Sequence, residues 1–123
     1  MYEVIEGFAE HVVAVRGTGR ITGDDYRAVL VPAVARATSG GRKARLLVEL
    51  GPAFEGFDPS AMMADAGLGL GHFGSFERIA VVTDAAWIRD SLGLFGGLIP
   101  GDIRVFPTTE ADAAAGWIRD DAA

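Results

Sequence analysis

The sequence predicts an α/β domain built on a mostly parallel β-sheet, and three observations carry that prediction. Residues 44–50 and 78–83 have continuous apolar centres, the pattern of strands buried on both faces. Such segments alternate with others whose apolar residues recur every three or four positions, the spacing of an amphipathic helix. The links are short, and no stretch is long enough to divide the 123 residues into two units. The predicted order is β-β-α-β-α-β-α-β-α: a mixed, mostly parallel five-stranded sheet with four helices, forming one domain over residues 1–123.

Residues 2–6 alternate weakly, and 11–16 hold β-branched residues on both sides. The turn at Gly7 between them predicts a hairpin, making the first strand the antiparallel exception. Residues 17–21 read as a loop. Thr22, three positions before Asp25, forms a capping box with Asp in place of the usual Glu or Gln. Asp24 and Asp25 also suit the positive end of a helix. From Tyr26, the residues Val29, Leu30, Ala33, Val34 and Ala37 have helical spacing. Pro32 falls inside this helix and is expected to kink it, because it has no N–H and crowds the preceding turn. Ser39-Gly40-Gly41 ends the helix.

After the strand at 44–50, residues 51–57 read as a loop. Asp58-Pro59 then introduces a short helix over 60–66. Residues 67–74 are irregular and apolar. Beyond the strand at 78–83, Asp84 is the expected cap of a helix bearing Trp87, Ile88, Leu92 and Phe95, which Gly96-Gly97 stops. A strand at 102–106 and a helix capped by Thr109 with Asp112 follow. That helix carries Ala111, Ala114, Ala115, Trp117 and Ile118. The crossovers between parallel strands are expected to be right-handed.

Composition narrows the function. Half of the residues are hydrophobic, enough for a core without covalent staples. The absence of cysteine excludes disulfides and thiolate metal sites and is compatible with a cytoplasmic location, which is the expectation here. Residues 1–7 hold two glutamates and no basic segment followed by an apolar one, unlike a signal peptide. The longest apolar run, 92–100, is glycine-rich and far short of the ~20 residues of a membrane span. The net charge is −6, and the densest basic cluster is only Arg42, Lys43 and Arg45. A chain so charged repels phosphate backbones, so no nucleic-acid partner is expected.

No set of catalytic residues stands out, and the chain is expected not to be an enzyme. Gly69-x-Gly71-x-x-Gly74 matches a dinucleotide-binding string, but it follows a helix and leads into a strand, the reverse of the required context. Gly17-x-Gly19-x-x-Thr22 lies between a strand and a helix, where a small anion would meet backbone amides. Asp24 and Asp25 already occupy that helix end, and a tight turn with a cap is the plainer reading. The two histidines, His11 and His72, have no acid or cysteine at ligand spacing, so no metal site is expected and no cofactor is required. Ser39, Ser60, Ser75 and Ser91 lie in no nucleophile elbow.

The most unusual feature is apolar. Phe54, Phe57, Met62, Met63, Leu68, Leu70, Phe73 and Phe76 crowd one segment with glycine and methionine, which favours an adaptable surface. Trp87, Leu94, Phe95, Leu98 and Ile99 form a second. Both segments follow carboxyl ends of parallel strands, where open α/β sheets bind ligands.

The pattern as a whole resembles the SpoIIAA-like family. The resembling residues are Gly19-Arg20-Ile21-Thr22 with Asp25-Tyr26, then Pro32, and Arg45-Leu46-Leu47-Val48-Glu49. They continue with Phe76 to Asp84 and Trp87, Val105-Phe106, and Ala111 with Trp117-Ile118. The resemblance implies a STAS-like fold, kinship with Sec14-like (CRAL-TRIO) lipid-binding domains, and a non-enzymatic role. In the phosphorylatable anti-sigma-factor antagonists of that group, a serine opens the helix after the third strand, usually within Asp-Ser-Ser-Gly. The corresponding Phe57-Asp58-Pro59-Ser60-Ala61 lacks the double serine and the glycine, so a kinase switch at Ser60 does not transfer.

Two binding expectations follow. One is an apolar small molecule or acyl chain held between the sheet and the middle helices by Phe54, Phe57, Met62, Met63, Leu70, His72, Phe73 and Trp87. The other is a homodimeric, regulatory protein-interaction module of the anti-sigma-factor-antagonist type, with Leu94, Phe95, Leu98 and Ile99 at the interface.

Overall fold

The architecture is that of a computed structural model describing residues 1–59, 76–95 and 102–119. Through these the chain runs β1 (Tyr2–Val4), β2 (Val12–Gly17), β3 (Gly19–Ile21), the helical segment α1 (23–37), β4 (Ala44–Leu50), β5 (Phe54–Phe57), β6 (Phe76–Thr83), α2 (Ala86–Phe95), β7 (Asp102–Phe106) and α3 (Ala111–Arg119). Five strands form one sheet in the order β1-β2-β4-β6-β7. β2, β4, β6 and β7 are mutually parallel, and β1 pairs antiparallel with β2.

The count of elements differs from the sequence expectation. Residues 17–21 and 51–57, expected as loops, contain β3 and β5, which pair in parallel as a separate two-stranded sheet. At three and four residues, these strands are too short to show a period of two in sequence. Pairing rather than propensity makes them: Gly19 N–H donates to the Ala53 carbonyl at 2.7 Å, and Ile21 lies opposite Phe57. Gly56 has φ +127°, a conformation that needs glycine. Three helices, α1 to α3, are present among the described residues; the fourth expected helix, at 60–66, lies outside them.

The capping box forms as expected. Thr22 Oγ1 accepts from Asp25 N–H at 3.3 Å, and Asp25 Oδ2 accepts from Thr22 N–H at 2.8 Å. Pro32 does not break α1. The helix opens into a π-helical stretch, Tyr26–Leu30, in which Val31 N–H donates to the Tyr26 carbonyl five residues back, and α-helix resumes over Val31–Ala37. Proline has no N–H to give, and the wider turn relieves the crowding of its ring against the turn before it.

Side chains leave β4 in alternation, so the sheet has two apolar faces. Val13, Val15, Leu46, Val48, Leu50 and Val81 pack with Tyr26, Leu30, Ala33, Val34 and Ala37 of α1 and with Ile88 of α2. On the opposite face Ala14, Leu47, Ala80 and Val82 meet Ala114 and Ile118 of α3. α3 is alanine-rich and presents little apolar surface, and two buried arginines add to its anchorage. Arg45 donates from Nη1 to the Ile118 carbonyl at 2.9 Å and from Nε to Glu77 at 2.6 Å. Arg78, its in-register neighbour on β6, donates from Nη1 to the Trp117 carbonyl at 2.8 Å. The guanidinium groups of Arg78 and Arg104 lie 5.4 and 4.9 Å from the centroid of the Trp117 ring. Cations at the negative end of a helix, bonded to its last carbonyls, stabilise it.

Three outcomes follow from this packing. A Cβ on Gly17 would lie 2.7 Å from Leu50 Cδ2, a buried side chain, so Gly17→Ala is expected to cost about 1–3 kcal/mol in urea unfolding. Arg78→Ala removes a charged hydrogen bond to a helix end; a loss of about 2–3 kcal/mol is expected, with a shift of Trp117 fluorescence. Thr22→Ala should cost about 1 kcal/mol at neutral pH. Partial burial opposes the charge of Asp25, but the Thr22 hydrogen bonds and the N-terminal ammonium outweigh it and lower its pKa below the ordinary 3.8. That stabilisation is complete above the ordinary value and is lost as the pH falls through the lower folded value. Unfolding curves of Thr22→Ala and the parent should therefore converge in strong acid.

Candidate functional site

In a parallel sheet the strand carboxyl ends converge on one rim, where loops are free to build a site. Here β2 ends at Gly17, β4 at Leu50 and β6 at Thr83, and the rim has two unlike sides.

The side that continues the α1 and α2 layer is aromatic. β5 holds Phe54 and Phe57 with ring centroids 5.1 Å apart, and Phe57 meets Trp87 of α2 edge-to-face at 6.1 Å and 89°. Ile88 points into the core, which turns the preceding Trp87 outward, and Trp87 is 53% exposed. Phe54 and Phe57 are half-buried against the same core. Of the apolar residues singled out in the sequence, the fold thus brings Phe54, Phe57 and Trp87 together. Leu94 and Phe95 belong to the last turn of α2. Met62, Met63, Leu70, His72, Phe73, Leu98 and Ile99 lie outside the described residues, as does Ser60.

The side toward α3 carries charged side chains beside a mostly apolar lining. A cleft of about 230 Å³ opens there between the ends of β2, β4 and β6 and the start of α3, lined by Arg16, Thr18, Glu49, Val82, Thr108 and Ala111 among others. Arg16 and Glu49 face each other in register across β2 and β4. Arg16 Nε and Nη2 both approach Glu49 Oε2 at 3.2 Å.

Beside the cleft, Asp84 departs from expectation. Its carboxylate does not cap α2 but accepts from the hydroxyl and the backbone N–H of Thr108, at 2.5 and 3.0 Å. Those two bonds hold its pKa below the usual carboxylate range, and the charge of Arg89 adds to them. The expected cap at Thr109 is replaced by a 3₁₀ turn, Thr108–Glu110, closed by Glu110 N–H on the Pro107 carbonyl at 2.9 Å. Asp84 takes a longer route because the ends of β6 and β7 lie side by side, bringing Thr108 within reach.

At the Gly17-x-Gly19-x-x-Thr22 segment, Asp25 fills the position open to an anion, accepting from both Thr22 N–H and Thr22 Oγ1. His11 is half-buried in the turn before β2. Among the described residues no group of three or more acidic or histidine side chains is placed to hold a metal, and no helix is long and apolar enough to cross a membrane. At the other end of the sheet a wider depression of about 900 Å³ is lined by Glu10, Arg36, Ser39 and Arg42. Its ion pair, Arg42 to Glu10 at 3.7 Å, is exposed.

Arg16 and Thr108 were not among the residues the sequence singled out, and Glu49 entered only as the end of the resembling string Arg45-Leu46-Leu47-Val48-Glu49. The available signal was a charge of opposite sign near the end of each of two apolar strands. It becomes informative only once β2 and β4 are known to be neighbours.

Comparison with known proteins agrees with this architecture. A family model described as SpoIIAA-like matches residues 12–119. No curated protein matches the chain. Among solved structures, the chain is similar to an uncharacterized protein of the DUF3478 family with a SpoIIAA-like fold from Shewanella loihica PV-4. The TM-score is 0.75 at 20% identity, covering 96% of this chain and 92% of that one. It is also similar to the anti-sigma factor antagonist SpoIIAA in its unphosphorylated form, with a TM-score of 0.56 at 15% identity over 94% of this chain and 97% of that one. With the family match running from β2 to the end of α3, and a five-stranded mixed sheet flanked by helices on both faces, the chain belongs to the SpoIIAA-like family.

Proposed function

We propose that this chain is a non-catalytic binding module that holds an apolar small molecule or acyl chain on the aromatic side of the rim. The observation that carries this reading is the edge-to-face stack of Phe54, Phe57 and Trp87, which leaves the indole 53% exposed at the carboxyl end of the sheet. Aromatic rings contribute large apolar contact areas, and an exposed tryptophan beside half-buried rings is a surface that gains free energy when covered. The kinship with Sec14-like domains that the sequence resemblance implies is in keeping with an acyl ligand. The non-catalytic reading is supported by the same surface, which offers hydrophobic contact rather than nucleophile, acid or base.

A second reading is favoured by one comparison, the likeness in fold to an anti-sigma factor antagonist. In it Leu94, Phe95, Leu98 and Ile99 are covered by a protein, either a twin or a regulator.

Native mass spectrometry of the purified protein and displacement of a fluorescent fatty acid by oleate test both readings. The first expects a co-purified or added acyl ligand bound one per chain, with Trp87→Ala weakening oleate binding about tenfold, or ~1.4 kcal/mol. A dimer mass with no displaceable fatty acid supports the second reading instead. A ligand-free monomer indifferent to oleate overturns the first.

A further inference from the structure

We infer that the charged side of the rim is a second site, separate from the aromatic one, and that it takes a free α-amino acid as its zwitterion. The inference rests on the Arg16–Glu49 pair and the cleft that surrounds it. Both contacts from Arg16 fall on Oε2 of Glu49, so Glu49 Oε1 and Arg16 Nη1 have no partner among the described residues. The Glu49 side chain is 21% exposed and that of Arg16 52%, and both residues line the cleft.

The charges select the ligand. A lone anion that met Arg16 would also meet Glu49, with the ionised Asp84 nearby across Thr108. A lone cation on Glu49 would meet Arg16. A molecule bearing both charges on neighbouring atoms is opposed by neither. Strands bonded to each other lie ~4.8 Å apart. Arg16 and Glu49 are in register there with their charged groups in contact at 3.2 Å, so both charges lie within reach of one α-amino acid, with the carboxylate on Arg16 and the ammonium on Glu49. Such complementarity gives selectivity against ligands of a single sign.

The size of the cleft agrees. At about 230 Å³ it falls below the ~300 Å³ at which drug-sized pockets begin, and suits one amino acid with a modest side chain. Ala53, Val82 and Ala111 provide an apolar wall for that side chain.

The test is a titration of ¹⁵N-labelled protein with L-alanine, following the amide signals of Thr18, Gly51 and Ala111, with acetate and methylammonium as single-charge controls. Saturable shifts with L-alanine, at a midpoint of about millimolar concentration, are expected, together with shifts at least tenfold smaller from either control. The double variant Arg16→Met, Glu49→Met keeps the long side-chain stems and is expected to lose the saturation. Trp87→Ala, which alters only the aromatic side, is expected to retain it. Absence of saturation with L-alanine overturns the inference, as does an equal response to acetate or methylammonium. If the double variant does not fold, Arg16→Met alone is titrated, and unchanged binding in either variant also overturns it.

Discussion

Because β4 is bonded to a parallel strand on each edge and carries helices on each face, each of its side chains has one place to go. Leu46, Val48 and Leu50 enter the layer under α1, and Leu47 enters the layer under α3. A slip of one residue would exchange the two sets, and the period of two makes that exchange complete, so the register is strongly specified. The same alternation puts Arg45 under α3, where an unpaired charge would be costly. The irregularity in pairing between β4 and β6, at Ala44 and Arg45, inserts Glu77 opposite them. That one extra residue places a carboxylate beside the Arg45 guanidinium and sets Arg78 next to Arg45 in register. Two arginines thus come under the end of one helix as a result of strand register, and the position of α3 follows from β4.

The two sides of the rim follow from that arrangement as well. The layer under α1 and α2 runs out toward the two-stranded β3–β5 sheet, whose phenylalanines extend the core to the surface. The layer under α3 ends in Glu49 and Arg16, because the strand positions that face α3 become polar at the carboxyl ends. One rim therefore carries a face suited to hydrophobic contact and a face suited to charge. Residues 51–53 line the charged side and lead directly into Phe54 of the aromatic one.

Much of the fold was legible in the sequence because its signals are local and strong. The apolar centres of β4 and β6, the Thr22–Asp25 capping box and the hairpin around Gly7 each report their own structure. What was hidden depends on contacts distant in sequence. β3 and β5 lie 35 or 36 positions apart in their pairing and carry no alternation of their own. Asp84 reads as a cap from its neighbours, yet it bonds Thr108, 24 residues away. Arg45 counts in the densest basic cluster with Arg42 and Lys43, and only the packing of α3 on β4 shows that it is buried. Of the candidate site, the aromatic half was legible as an excess of Phe and Trp near strand ends. The charged half was not, since a single Arg and a single Glu are common in any strand.

The helix α3 differs from the other two in one topological respect. α1 lies in the connection from β2 to β4 and α2 in that from β6 to β7, and both pack on the same face of the sheet. Among the described residues α3 follows β7 and connects no two strands, while covering the opposite face of the sheet. Mechanically it is a flap rather than a rung. Tension applied beyond Arg119 would peel it away one anchor after another, with the hydrogen-bonded ladder left whole. Tension applied to α1 or α2 has no such soft path, because the strands on either side bear the load directly.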